Sequence, residues 1–118
     1  MTHSYSHGFE NALPEDVRNL VGDENVKFLD VREPWEFEIC KIEGSINIPM
    51  GILPLKLNEL DRNATTVVVC HHGNRSYFAC RVLEKDGFKK IINLAGGLDM
   101  WRQTVDFNMP AYSDNDKK

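Results

Sequence analysis

Apolar and polar positions fall into two textures along the chain: short continuous apolar runs, and longer stretches where apolar residues recur every three or four positions. The first texture marks four strand candidates, Val26–Asp30, residues 45–48, Thr65–Val69 and Lys90–Leu94. Thr65–Val69 is β-branched throughout with no polar alternation, which predicts a central strand covered on both faces, as in a parallel sheet. Helices are expected between the strands. Pro14-Glu15-Asp16 places a proline early and acids in the first turn, and Pro34 follows Glu33, so both sites predict helix starts. Residues 53–60 form a third, weaker helical pattern. The clearest helix runs over residues 75–86: Phe78, Ala79, Val82 and Leu83 share one face, and Gly87 stands where a left-handed C-terminal cap belongs. A last short helix is expected to begin at Gly96-Gly97 and to bury Leu98 and Trp101, three apart. Strand alternating with helix predicts an α/β fold, a mostly parallel central sheet flanked by helices on both faces. Ligands of such sheets bind outside the carboxyl ends of the strands, where Asp30 and Cys70 stand.

Length and charge narrow the picture. A chain of 118 residues fits one domain. The small polar residues 1–8 predict a flexible N-terminal segment, residues 9–110 the domain, and residues 111–118 a flexible, solvated tail. A net charge of −4 without a Lys/Arg stripe argues against nucleic acid as partner. The apolar runs are far shorter than the ~20 residues that span a bilayer, so no membrane association is expected. Residues 1–8 lack the charged-then-apolar order of a secretory signal, which makes a cytoplasmic location the expectation. No exposed apolar stripe is evident, and a monomer is the simpler expectation. Of the four histidines, His3 and His7 read as tail residues.

The chain has three cysteines, Cys40, Cys70 and Cys80. That odd, low number is a poor disulfide framework, and no CxxC pair or Cys/His ligand spacing supports zinc or another metal. At least one thiol is therefore expected free. The segment Val69-Cys70-His71-His72-Gly73-Asn74-Arg75-Ser76 runs from the end of the most apolar strand into the best helix. A tight strand–loop–helix turn points successive N–H groups into one concavity, an anion-binding nest. The helix N-terminus and Arg75 add positive charge, and Gly73 permits a backbone conformation closed to other residues. A thiol at the mouth of that cradle is stabilised as the nucleophilic thiolate. A cysteine ending an apolar strand is more often inert and buried. Here the polar residues that follow have no core role, and Cys70 becomes the candidate nucleophile.

The loop Cys70-His71-His72-Gly73-Asn74-Arg75-Ser76 resembles the active-site loop of rhodanese-like sulfurtransferases. Leu29-Asp30-Val31-Arg32-Glu33 resembles the family's "DVR(E)" segment, and residues 42–49 its "I-x-G-A-x-N-I-P" segment. Residues 94–101 resemble its closing "L-x-G-G-x-x-x-W". The four segments stand in family order across residues ~26 to ~102. Lys41, where the family often has His, and Ser45, in place of the usual Ala, depart from the pattern without touching the cysteine. Cdc25-type phosphatases and arsenate reductases share the fold family, but their Cys-x5-Arg loop is one residue longer. Four residues separate Cys70 from Arg75 here, and that tighter ring favours a sulfur atom over a phosphoryl group.

The resemblance implies a single rhodanese-like domain with no cofactor. It also implies ping-pong transfer of a sulfane sulfur from a donor such as thiosulfate, through a Cys70 persulfide, to cyanide or a thiol. A cysteine desulfurase or a thioredoxin-like protein is an alternative partner if the chain works as a protein-to-protein persulfide carrier. Arg75 is expected to help bind an anionic donor. His71 and His72 either orient the donor and relay a proton or merely shape the loop. Asp30 and Arg32 either line the entrance or, the stronger reading, form a charged pair that holds the loops. Cys40 and Cys80 read as packing residues, with resolution of an oxidised Cys70 as the lesser alternative. Trp35 and Trp101 are expected to pack helices onto the sheet.

Overall fold

The β-branched run at the centre of the sequence is also the centre of the sheet. In the computed structural model, which describes residues 4–6 and 8–118, six strands stand in the order β1-β2-β6-β5-β3-β4. They are β1 (Ser4–Ser6), β2 (Phe9–Ala12), β3 (Val26–Asp30), β4 (Ile46–Asn47), β5 (Thr65–Val69) and β6 (Lys90–Leu94). Strands β2, β6, β5, β3 and β4 are mutually parallel, and β1 adds an antiparallel edge on β2. The register sets Asp30 opposite Val69, so the ends of β3 and β5 are level and Cys70 leaves the sheet beside Asp30.

Two apolar layers cover the sheet, because neighbouring residues of a strand point to opposite faces. Val68 joins a cluster with Leu53, Ala79, Cys80 and Leu83. Val67 and Val69 join the other, with Val17, Leu98 and Trp101. Helices α3 (Leu53–Lys56) and α4 (Asn74–Lys85) therefore lie on one face. Helices α1 (Pro14–Val17) and α5 (Gly97–Thr104) lie on the other, and α2 (Pro34–Ile39) leads from β3 into that second layer. The expected flanking of a mostly parallel sheet by helices on both faces is what the structure has.

Four details differ from the sequence expectation. The buried face of α4 is Ser76, Ala79, Cys80 and Leu83, while Phe78 is 55% exposed. The i, i+3, i+4, i+7 series beginning at a polar serine wins over the apolar one, because the serine faces the cysteine. The weak 53–60 pattern yields only one α-helical turn, flanked by 3₁₀ turns at Met50–Ile52 and Leu57–Glu59. Trp101 packs on Phe28, with ring centroids 6.4 Å apart, but Trp35 meets the edge of Tyr112 instead of the sheet. The expected loose ends contain order: Ser4–Ser6 pairs with β2, and half-buried Tyr112 is packed. Residues 1–3 and 7, with His3 and His7, lie outside the described residues. No helix among the described residues is long and apolar enough to cross a membrane.

Candidate active site

The loop that joins β5 to α4 is shaped by two glycines and by the N-terminus of α5. Gly73 has φ +100°, and a Cβ there would sit 3.0 Å from the Gly96 nitrogen. Gly97 has φ +60°, and its Cβ would fall 2.5 Å from the Cys70 carbonyl oxygen and 2.4 Å from that of His71. Those close approaches let the first N–H groups of α5 take both carbonyls: Leu98 donates to Cys70 O at 2.9 Å and Asp99 to His71 O at 3.0 Å. With the loop carbonyls occupied from that side, its N–H groups converge on the sulfur. Gly73 N–H donates to Cys70 Sγ at 3.0 Å and Ser76 N–H at 3.3 Å.

Cys70 is 1% exposed. Its thiol donates to Ser76 Oγ at 3.3 Å, and the Ser76 hydroxyl donates to Asn93 Oδ1 at 2.5 Å. The Asn93 amide in turn donates to Asn11 Oδ1 at 3.0 Å. Two N–H donors on one sulfur favour an anion there, because both are fixed by the fold before any charge develops; the Ser76 hydroxyl accepts from the thiol and gives its own proton to Asn93. Asn74 is exposed and opens α4 without touching the sulfur.

Arg75 departs from its expected part. Its two Nη atoms form a bidentate pair with the Glu36 carboxylate at 2.6 and 2.8 Å, joining the thiol loop to α2. That pairing raises the guanidinium above its ordinary value. Burial pushes Glu36 up, but the hydrogen bonds from Arg75 and Tyr112 outweigh it and hold the carboxyl down at about 2. Glu36 also accepts the Glu33 N–H at 3.1 Å, one half of a capping box on α2.

Asp30 and Arg32 take the structural alternative. The Arg32 side chain is fully buried and forks onto both Asp30 oxygens at 2.9 and 2.7 Å. It also donates to Cys40 O at 2.6 Å, Glu36 O at 3.2 Å and Tyr112 Oη at 3.0 Å. Burial opposes its charge, yet Asp30 more than offsets this and the guanidinium lies above its ordinary value. The pair is a buried clamp on the chain around β3 and α2, not an entrance.

The histidines form the rim. His71 is half-buried, and burial followed by repulsion from His72 lowers its ionisation below the ordinary value. The His72 side chain is 60% exposed, with Nδ1 3.9 Å from Asp99. Cys40 and Cys80 are buried thiols whose ionisation burial pushes up, as packing residues should behave.

Glu36, Asn93, Tyr112 and the close packing of Gly97 are absent from the sequence-derived site. Asn93, a polar residue inside an apolar strand, carried a readable signal. The spacing of Glu33 and Glu36 signalled only a helix cap. Tyr112, 36 residues beyond Ser76, carried none.

A cysteine cradled by N–H groups at the end of a parallel strand, ahead of a helix, defines an α/β domain of the anion-loop thiol class. The chain belongs to the rhodanese-like domain family, which it matches over residues 13–104. It is 43% identical over 102 residues to the Bacillus subtilis protein named "Putative sulfur carrier protein YrkF", covering 80% of this chain and 55% of that one. The chain thus spans little more than half the length of that relative. It is 34% identical over 97 residues to the thiosulfate sulfurtransferase GlpE of Pseudomonas aeruginosa, covering 82% and 87% of the two chains. A rhodanese-related protein from Thermoplasma volcanium superposes with a TM-score of 0.72 at 32% identity, covering 85% of this chain and 94% of that one.

Proposed function

We propose that this chain is a sulfurtransferase that carries a sulfane sulfur on Cys70. The observation that supports it most is the convergence of Gly73 N–H, Ser76 N–H and Ser76 Oγ on Cys70 Sγ, at 3.0 to 3.3 Å. In the first half-reaction the Cys70 thiolate attacks the outer sulfur of thiosulfate. The S–S bond of thiosulfate breaks, its electron pair leaves with sulfite, and a new S–S bond forms on Cys70. The terminal sulfur of this persulfide is an anion, and the same N–H groups suit it. In the second, cyanide attacks that terminal sulfur, thiocyanate forms, and the bonding pair returns to Cys70 as thiolate. The four-residue spacing from Cys70 to Arg75 supports sulfur over phosphoryl transfer.

One observation favours a second reading, a protein-to-protein persulfide carrier. The two guanidiniums at the mouth, Arg75 and Arg102, are both ion-paired, with Glu36 and Asp99. Those pairings offset most of the positive charge that would attract the thiosulfate dianion, whereas a donor such as a cysteine desulfurase, or an acceptor such as a thioredoxin-like protein, is held by its own surface. Thiocyanate formation from thiosulfate and cyanide tests the first reading. Loss of that activity in Cys70→Ser is expected, and activity retained in the variant would refute it. Slow turnover combined with rapid loading from a persulfidated protein would make the chain a carrier.

A further inference from the structure

Tyr112 lies beyond the region matched to the family, residues 13–104, yet it contacts the rim of the thiol loop and both ion pairs beside it. Its ring stacks on the His71 imidazole, with centroids 4.0 Å apart and planes inclined by 14°. The His72 ring continues the stack at 4.0 Å and 32°. The Trp35 ring closes on Tyr112 at 5.9 Å in an edge contact. The phenol donates to Glu36 Oε2 at 2.7 Å and accepts from Arg32 Nη1 at 3.0 Å. One side chain thus ties the rim histidines to the buried Asp30–Arg32 clamp and to the Glu36–Arg75 pair. Beside it opens a cleft of about 550 Å³, lined by His71, His72, Arg75, Asp99 and Arg102 together with residues 111–114.

We infer that Tyr112 is a positioning residue for sulfur transfer: it fixes the His71 ring at the rim of the thiol loop, steadies Glu36 and thereby Arg75, and makes residues 111–114 one wall of the cleft that receives the sulfur donor. The two halves of the side chain act separately. The ring face holds His71, and the hydroxyl holds Glu36 and Arg32. An aromatic contact of this geometry and a hydrogen bond to a charged group each contribute on the order of a tenfold bias toward one arrangement.

The kinetic part of this inference rests on the sulfur-transfer reading; the geometric part does not. The test compares Tyr112→Ala and Tyr112→Phe with the parent protein in two measurements. One is thiosulfate:cyanide kinetics. The other is the NMR titration of His71, assigned through His71→Asn. The charged and titratable groups around His71 are His72, Asp99, Glu36 and Arg32, with Arg75, Arg102 and Asp114 on the same cleft. All of them remain in both variants, so the variants change the burial of the imidazole more than the charges around it. Tyr112→Ala is expected to move the His71 titration upward, toward the ordinary histidine value. It should also lower kcat/KM about tenfold, mostly through KM. Tyr112→Phe keeps the stack, so His71 should titrate as in the parent while kcat/KM falls by a smaller factor. Tyr112→Phe also guards against a folding defect, since it preserves the packed ring. An unmoved His71 titration in Tyr112→Ala overturns the inference, as does an unchanged KM in a protein that turns over thiosulfate. If the parent itself transfers no sulfur, the functional reading fails and the His71 titration alone decides the role of Tyr112.

Discussion

Replacing Glu36 by Gln removes one charge, keeps the shape and turns one accepting oxygen into a donor, so it is the pH dependence of the loss that isolates the electrostatic part of the joint between α2 and the thiol loop. The Glu36 side chain is 4% exposed and its carboxyl is held at about 2, against an ordinary 4.5. At about 1.4 kcal/mol per pH unit, that depression corresponds to roughly 3 kcal/mol of stability in neutral solution. The Arg75 side chain is 39% exposed, so solvent screening reduces the expected loss to about 2 kcal/mol. The sign follows from linkage: a carboxyl whose folded value is depressed stabilises the fold above its unfolded value and stops doing so as pH falls through its folded value. The contribution should therefore be full above about pH 5, roughly halved near pH 3 and gone below about pH 2. Urea unfolding of the parent and Glu36→Gln at neutral pH should differ by about 2 kcal/mol, which lowers Tm by ~8 °C. The difference should shrink in acid, because the parent then protonates Glu36 itself. A neutral-pH difference below ~0.5 kcal/mol, or one of the same size at pH ~3, would refute the electrostatic assignment and leave hydrogen-bond geometry as the cause.

Two further substitutions test the scaffold around the thiol. Arg32→Met strands the Asp30 carboxylate in the interior and should cost about 3–5 kcal/mol by urea unfolding. Arg32→Lys keeps the charge without the forked donors, so it should recover only part of that; a Met variant within ~1 kcal/mol of the parent would show that the clamp is not structural. Gly97→Ala drives a Cβ into the Cys70 and His71 carbonyl oxygens at a positive φ, and should cost about 1–3 kcal/mol and depress sulfur transfer. Gly22→Ala, where φ is +89° but nothing lies within 4 Å, carries the backbone strain alone and should lose less. Equal losses at the two sites would mean that the approach of α5 to the thiol loop is not tight.

What the sequence disclosed was local, and what it concealed was long-range. The uninterrupted Thr65–Val69 run, the prolines at 14 and 34 and the glycine at 87 each act within a few residues. Their pattern therefore identified β5, two helix starts and a helix end. The thiol loop was legible for the same reason: its donors, Gly73 and Ser76, lie within six residues of Cys70. Strand β2 was not, because Phe-Glu-Asn-Ala has neither continuous apolarity nor clean alternation, and it is a strand because β6 and β1 supply its partners. Arg75 has a lone cation's signature in sequence. Its carboxylate partner is 39 positions away, and no spacing rule reaches that far. The Tyr112–Glu36 bond spans 76 positions, and the residue looked like tail because its anchor is made entirely by the tertiary fold. Phe78 shows the opposite failure: an apolar residue at helical spacing stays exposed because Ser76, which the site requires inside, fixes the rotation of α4.

The most direct test of the central claim is the intact mass of the reduced protein after incubation with thiosulfate, alongside Cys70→Ser. The parent should gain one sulfur atom, located on Cys70, absent from the variant and discharged by cyanide as thiocyanate. A protein that gains no sulfur from thiosulfate or from a persulfidated donor, or one that gains it equally without Cys70, would contradict that claim.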